Sequence, residues 1–448
     1  MFLWHIHDFP MPAGLNIKRT LQMKFYSTRN KDLRCSLKEA AIMGLAPDGG
    51  LFMPETIPSV DLDKAMSYGT FPEMAAYLAS FFFDEYSCEE LLEMTSRAFS
   101  FDIPLAQVGP GLQTLELFHG PTFAFKDVGA GFMGQMMGRL ADKGKPINVI
   151  AATSGDTGSA VANGFYKVNG VNVTVLYPKG KVSRFQESQM TTLGENIHAV
   201  AVDGCFDDCQ AIVKTLLSDR EFHDDYRLTS ANSINILRWI PQSFYYFWAY
   251  RQWRESTGRT SPVVVVPSGN IGNLAAGVLA MKMGLPIASF VAANNTNDTF
   301  FRYLQSGEYA PAPTVPTVAN AMDVSAPSNF ERIMDFFGKD WKAVTSLIRG
   351  CAFSDDEIRS AIREMKEKFG YLSCPHSATG YLAAKKFGVD GFWLSTAHYA
   401  KFIDVVRAAL GEDIPLIEPF ASISLRQGSS TEVPVSSAAV ASLIASYS

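Results

Sequence analysis

One lysine, Lys126, stands inside a run of apolar and glycine residues from Glu116 to Met137, ELFHGPTFAFKDVGAGFMGQMM, with Phe123 and Phe125 beside it. A lysine is ordinarily a solvated surface group. Apolar surroundings disfavour the ammonium and lower its pKa, and the neutral amine that results can attack an aldehyde. Lys126 is therefore a candidate Schiff-base nucleophile, with a plain surface lysine as the alternative.

Two polar, glycine-rich turns could hold anions. Thr153-Ser154-Gly155-Asp156-Thr157-Gly158 follows the strand-like run INVIAA and precedes a helical pattern. Amides at a helix N-terminus carry partial positive charge, and the Ser154 and Thr157 hydroxyls can add donors for a carboxylate or phosphate; a simple N-cap explains the same residues. The second turn, Ser268-Gly269-Asn270-Ile271-Gly272-Asn273, follows PVVVVP and leads into an alanine- and glycine-rich stretch. It lacks the G-x-G-x-x-G fingerprint and the acidic residue about twenty positions on, so a single terminal phosphate suits it better than a dinucleotide. Thr396 ends the strand-like GFWLS, where open α/β sheets bind ligands, and its neutral hydroxyl could meet a ring nitrogen.

These residues need a scaffold. Apolar runs at 147, 172, 197, 262 and 287 read as buried parallel strands, and the stretches Thr157 to Val168, Phe185 to Leu193, Phe206 to Leu217 and Asn273 to Met283 read as helices. The alternation predicts an α/β fold with open, mostly parallel sheets in two lobes plus an N-terminal helical region. The expected division is an extension or misplaced start over 1–22, an N-terminal domain over 23–110, a large cofactor-binding domain from 111–145 and 230–448, and a small α/β domain over 146–229. A proline-rich connection, Ala310 to Pro327, is a second sign of separate lobes.

Composition narrows the partners. A formal net charge of -6, with Lys and Arg scattered, provides no electrostatic reason to bind nucleic acid. No apolar run reaches the ~18 residues of a membrane span. Six cysteines lie far apart except Cys205 and Cys209, whose spacing is that of one helix face without further ligands nearby. Reduced thiols in a cytoplasmic protein, with no disulfide and no metal, are the expectation.

Taken in order, HGPTFAFKD at 119, ATSGDTG at 152, VPSGNIGN at 266 and STAHYAKF at 395 resemble the signature of the threonine synthase family. The likeness extends to MKFYSTR at 23, DGGLFMP at 48, ANSINILR at 231, NAMDVSAPSNFER at 320 and PHSATGY at 375, and so covers Met23 to about Gly411. Tyr399 and Ser325-Ala326 depart from the family's usual proline and glycine-asparagine. The resemblance implies a fold-type II enzyme that uses pyridoxal 5'-phosphate and turns O-phospho-L-homoserine and water into L-threonine and phosphate. It also implies that Lys126 carries the cofactor, that Gly269, Asn270, Ile271, Gly272 and Asn273 enclose its phosphate, and that Thr396 faces its ring nitrogen. Ser154, Gly155, Asp156 and Thr157 would hold the substrate, with Lys181, Ser183, Asn232, Ser233, Asn235 and Arg238 as candidates for gripping its phosphate. A monomer or homodimer is expected. The nearest alternative is an O-phosphohomoserine phospho-lyase or a serine or threonine dehydratase of the same fold; a nicotinamide oxidoreductase and a binding protein without activity are more distant ones.

Overall fold

The computed structural model describes residues 22–141 and 144–448, so the extension expected at the N-terminus lies, except for Gln22, outside the described residues. Two open sheets dominate. The larger has the strand order Ile348–Ala352, Ser289–Asn294, Val263–Pro267, Gly391–Ser395, Leu112–Glu116 and Leu105–Gly109, parallel except for the last pair. The smaller is wholly parallel, in the order Thr431–Val433, Ile197–Val202, Val171–Pro178, Ile147–Ala152 and Leu228–Ser230. Central strands such as Ile147–Ala152 are buried along their whole length, which is why their sequences run apolar without alternation.

Two details correct the expected division. The strand Thr431–Val433 joins the smaller sheet, so the chain returns there at its C-terminal end rather than staying with the larger sheet. The stretch from Ala310 to Pro327 does not separate lobes: it runs between the helices Thr299–Ser306 and Phe330–Phe336, held by Asn295 Nδ2 to Thr317 Oγ1 and Asn297 Nδ2 to the Val315 carbonyl.

The N-terminal region is not only helical. A three-stranded antiparallel sheet, with Phe25–Ser27 between Arg34–Cys35 and Phe52–Pro54, accompanies helices that begin with reciprocal capping boxes at Ser36 and Glu39, Thr70 and Glu73, and Ser87 and Glu90. One apolar core runs from this region into both sheets. Cys205 lies at the N-cap of the helix Phe206–Ser218 and Cys209 is buried within it. All six cysteines carry free thiols. No helix among the described residues is long and apolar enough to cross a membrane.

The helix that starts at Lys126, Lys126–Leu140, crosses the smaller sheet's helix Asp156–Phe165 at close range. A Cβ on Gly134 would stand 2.0 Å from the Gly164 carbonyl oxygen, and one on Gly164 would stand 2.6 Å from the Ala130 carbonyl carbon. Backbone meets backbone here, so the glycine spacing sets how near the smaller sheet comes to Lys126. Gly134→Val should therefore destabilise the protein by about 3 kcal/mol, read from urea unfolding; a change below about 0.5 kcal/mol would mean that the approach has slack.

Candidate active site

Three neighbouring parallel strands deliver the candidate residues. Leu112–Glu116, Gly391–Ser395 and Val263–Pro267 lie side by side, and their C-terminal ends lead respectively to the Lys126 loop, to Thr396 and to the turn at 268–273. Adjacent strands are about 4.8 Å apart, so the sheet itself sets the spacing of the three pieces. The Lys126 loop is then pinned to the next strand end. Phe125 N–H donates to the Thr396 carbonyl at 2.8 Å, His398 N–H donates to the Phe123 carbonyl at 3.0 Å, and Ala124 and Ala397 form an antiparallel bridge. Asp127 closes the loop from inside by accepting from Thr122 N–H at 2.9 Å and Thr122 Oγ1 at 2.5 Å. Burial raises its carboxyl to about 6, against the opposing pull of the Thr122 hydrogen bonds.

Lys126 keeps an intermediate exposure, and its amine makes no hydrogen bond or ion pair with the described residues. Burial lowers it to about 8; the Asp156 carboxylate opposes that shift, while the Lys401 and Arg238 cations add to it. Asp156 is buried at the start of the helix Asp156–Phe165 and accepts from Lys401 Nζ at 2.9 Å and Gln186 Nε2 at 2.9 Å. Burial alone would raise its carboxyl, but Lys401 above all, with Lys126, holds it well below the usual carboxylate range. Asp156, expected to touch substrate, thus spends its carboxylate on two side chains of the protein.

The surrounding turn is shaped for an anion. Thr153 Oγ1 accepts from the Gly155 and Gly158 amides at 2.8 Å each, which folds the turn back on itself. Gly155 sits at φ 139, and a Cβ there would lie 2.4 Å from the Gln186 side chain, so only glycine fits. The amides of Ser154, Asp156 and Thr157 find no acceptor among the described residues. They remain for a ligand.

In the turn after Val263–Pro267, Ile271 adopts a left-handed conformation, φ 46, at the start of the helix Gly272–Lys282. The backbone amides of Gly269, Asn270, Ile271, Gly272 and Asn273 have no acceptor among the described residues. The Asn273 side chain accepts from Tyr245 Oη at 2.6 Å and Tyr246 Oη at 2.7 Å, which leaves its buried Nδ2 without a partner. Asn270 is held on three sides: Nδ2 donates to Ser233 Oγ at 2.7 Å, Oδ1 accepts from Ser328 N–H at 2.6 Å, and its carbonyl accepts from Asn329 Nδ2 at 3.1 Å. The fully buried Arg332 steadies Asn329 at 2.6 Å and the Ile234 carbonyl at 2.7 Å. Thr396 is buried, its amide donates to Ser377 Oγ at 2.9 Å, and its hydroxyl has no partner among the described residues. A phosphate, an aldehyde and a neutral-partnered pyridine nitrogen, the three polar features of pyridoxal 5'-phosphate, match what this site leaves unengaged: five amides, one unpaired amine and one hydroxyl.

The residues expected to grip the substrate phosphate divide. Arg238 is buried, not on the surface: its Nη1 donates to the Ala231 carbonyl at 2.6 Å and its Nε, without an acceptor, lies 3.1 Å from where a Gly129 Cβ would be. Burial lowers its guanidinium to about 10, so it stays charged at neutral pH. Asn232 has a buried Oδ1 without a donor. Ser233 accepts from Asn270 and so supports the 268–273 turn. Asn235 is a structural residue: its Oδ1 caps the helix Ile236–Trp239 through the Leu237 amide, and its Nδ2 donates to the Ala41 and Ser230 carbonyls. Lys181 and Ser183 are exposed, and Ser183 forms a capping box with Gln186. Lys401, Gln186, Asn329 and Arg332 carry no role in the sequence reading. Lys401, Asn329 and Arg332 fall within quoted motifs, and a charge inside such a stretch is the signal that could have found Lys401 and Arg332; Asn329 offers no such signal.

Comparison with known proteins agrees with this geometry. A family model described as pyridoxal-phosphate dependent enzyme matches residues 112–391, with models of the threonine synthase N terminus over 24–99 and of the threonine synthase C-terminal region over 377–444. The threonine synthase of Escherichia coli strain K12 is 44% identical over 401 residues, covering 88% of this chain and 92% of the relative. A crystal structure of threonine synthase from Escherichia coli superposes with a TM-score of 0.87 at 41% identity, covering 95% of this chain and 100% of the other. A PLP-bound threonine synthase from Brucella melitensis gives 0.88 at 34% identity, covering 94% and 99%. With fold, free amine, paired anion turns and matched sequence all in agreement, the chain belongs to the threonine synthase family of pyridoxal-phosphate-dependent lyases.

Proposed function

We propose that the chain converts O-phospho-L-homoserine and water to L-threonine and phosphate, with Lys126 as the residue that holds the cofactor and moves protons. The observation that carries this reading is the Lys126 amine itself: lowered toward neutrality, unpaired, and on the same sheet edge as a turn whose five amides are unengaged. The amides of Gly269, Asn270, Ile271, Gly272 and Asn273 would take the cofactor phosphate, and the Thr396 hydroxyl would meet the ring nitrogen without protonating it. When bound, the cofactor supplies an electron sink for charge that develops on the substrate carbons.

The chain's own residues do the rest. The Lys126 amine, once free, takes the α proton and carries protons at the β and γ carbons while the γ-phosphate leaves and water adds at the β carbon. The free amides of Ser154, Asp156 and Thr157 receive one anionic end of the substrate, and Arg238 with Asn232 supplies positive charge and polarity near the other. Water has to be kept out before phosphate leaves and let in afterwards, which motivates closure of the small lobe, 146–229, on the large one. Phe420, whose ring lies 4.3 Å from Phe123, 4.8 Å from His398 and 5.0 Å from Phe185, covers the loops that would move. A monomer or homodimer is the assembly we propose, and six free thiols suit the cytoplasm.

Three outcomes test the reading. Lys126→Ala should abolish both the yellow absorbance of the cofactor and turnover with O-phosphohomoserine; turnover within tenfold of the parent would rule out the assignment. Colour formation on adding pyridoxal 5'-phosphate to apoprotein needs the neutral amine, so its rate should rise with pH through about 8 and level off above; a rate still climbing at pH 10 would indicate an ordinary lysine. Thr396→Asp should hold the ring nitrogen protonated and divert turnover toward 2-oxobutyrate, the product that would also mark a phospho-lyase or dehydratase. An unchanged ratio of threonine to 2-oxobutyrate would remove Thr396 from that role.

A further inference from the structure

Lys401 is a buried charged side chain near Lys126 that has no part in the proposed cofactor or substrate binding. Its side chain is 0% exposed, and its Nζ reaches across the site to Asp156 Oδ1 at 2.9 Å and to the Thr122 carbonyl at 2.6 Å. Those two acceptors belong to different parts of the fold. Asp156 opens the small-lobe helix, and Thr122 lies in the Lys126 loop, where its own hydroxyl and amide are bound by Asp127. Lys401 itself sits in the short turn Tyr399–Phe402 that follows Thr396. One buried ammonium therefore ties two segments, the amine-bearing loop and the anion turn of the small sheet, to a third, the turn after Thr396 that carries it.

The charges around Lys126 add a second argument. The groups facing it are Asp156 from the small lobe, Lys401, Arg238 and His376 from the large one, and Asp127 next in the chain. Asp127 is turned to Thr122, and His376 is buried with its Nε2 accepting from the Ala321 amide, which keeps it neutral. Asp156 is thus the anion that could draw the Lys126 ammonium into an ion pair. Lys401 occupies that anion first, at hydrogen-bond distance. A buried carboxylate left with one cation binds it tightly.

We propose that Lys401 is a positioning residue of the reaction: by neutralising Asp156 and tying it to the Thr122 carbonyl, it leaves the Lys126 amine unpaired and holds the loop and the small-lobe turn in reacting register. The proposal rests on the reading that Lys126 is the amine that binds the cofactor. Without Lys401, Asp156 pairs with Lys126, and the amine is held protonated.

The test follows the pH dependence of colour formation when pyridoxal 5'-phosphate is added to full-length apoprotein. In Lys401→Met the midpoint, near pH 8 in the parent, should rise by about one pH unit or more, because Lys126 becomes the cation that faces Asp156 in place of Lys401. Adding Asp156→Asn removes both charges and should bring the midpoint back to the parent value. A role in packing alone would not produce this reversal. The double variant should still lose about tenfold in kcat, with KM little changed, because the tie between turn and loop is gone. An unmoved midpoint in folded Lys401→Met overturns the proposal; should that variant not fold, a double variant with parental kcat overturns it equally. Colour retained in Lys126→Ala would instead sink the underlying reading, which keeps the two failures apart.

Discussion

The site depends on a short stretch of backbone, Phe123 to Phe125, being pinned against the strand end Thr396 to His398. The two hydrogen bonds of the Ala124–Ala397 bridge do this, and they fix Lys126 beside Thr396. Because the strands leading to both segments are neighbours in one parallel sheet, the pinning costs little beyond ordering a loop that already starts in the right place. The turn at 268–273 comes off the next strand over. Amine, hydroxyl and phosphate-sized cradle are therefore consecutive along the C-terminal edge of the larger sheet, the side where open α/β sheets characteristically bind ligands.

Buried charge is the second theme. Lys126, Asp156, Lys401 and Arg238 share one region, and each would be expensive to bury alone. The structure resolves this by giving Asp156 two strong partners, Arg238 a carbonyl, and Lys126 none. That asymmetry is chemically useful. A lysine that is to react has to stay unpaired, and burial above all, with the Lys401 and Arg238 cations adding to it, makes the neutral form accessible near physiological pH.

Much of this was legible in the sequence, for identifiable reasons. Strands buried on both faces must be apolar throughout, so INVIAA and PVVVVP stood out, and the polar glycine turns that follow them marked the ligand edge. What escaped had no such pattern. Thr431–Val433 is a three-residue edge strand with two exposed residues, and nothing local says which sheet it will join. Leu228–Ser230 is equally short. Arg238 read as a candidate phosphate ligand, but its burial was not legible, because burial of a single charge is decided by tertiary packing, here the backbone at Gly129. Asn235 was a candidate phosphate ligand only through the resemblance; its bonds to the Ala41 and Ser230 carbonyls form only when the chain has folded. Lys401 stood in plain view within STAHYAKF, but only the folded chain shows that its ammonium meets Asp156.

The central claim is that one desolvated amine, and no other, condenses with the cofactor. Borohydride reduction of the coloured protein, followed by proteolysis and mass spectrometry of the labelled peptide, reads this without depending on turnover. The account predicts a single reduced adduct on the peptide that contains Lys126. An adduct on Lys401 or on any other lysine, with Lys126 unmodified, would contradict it.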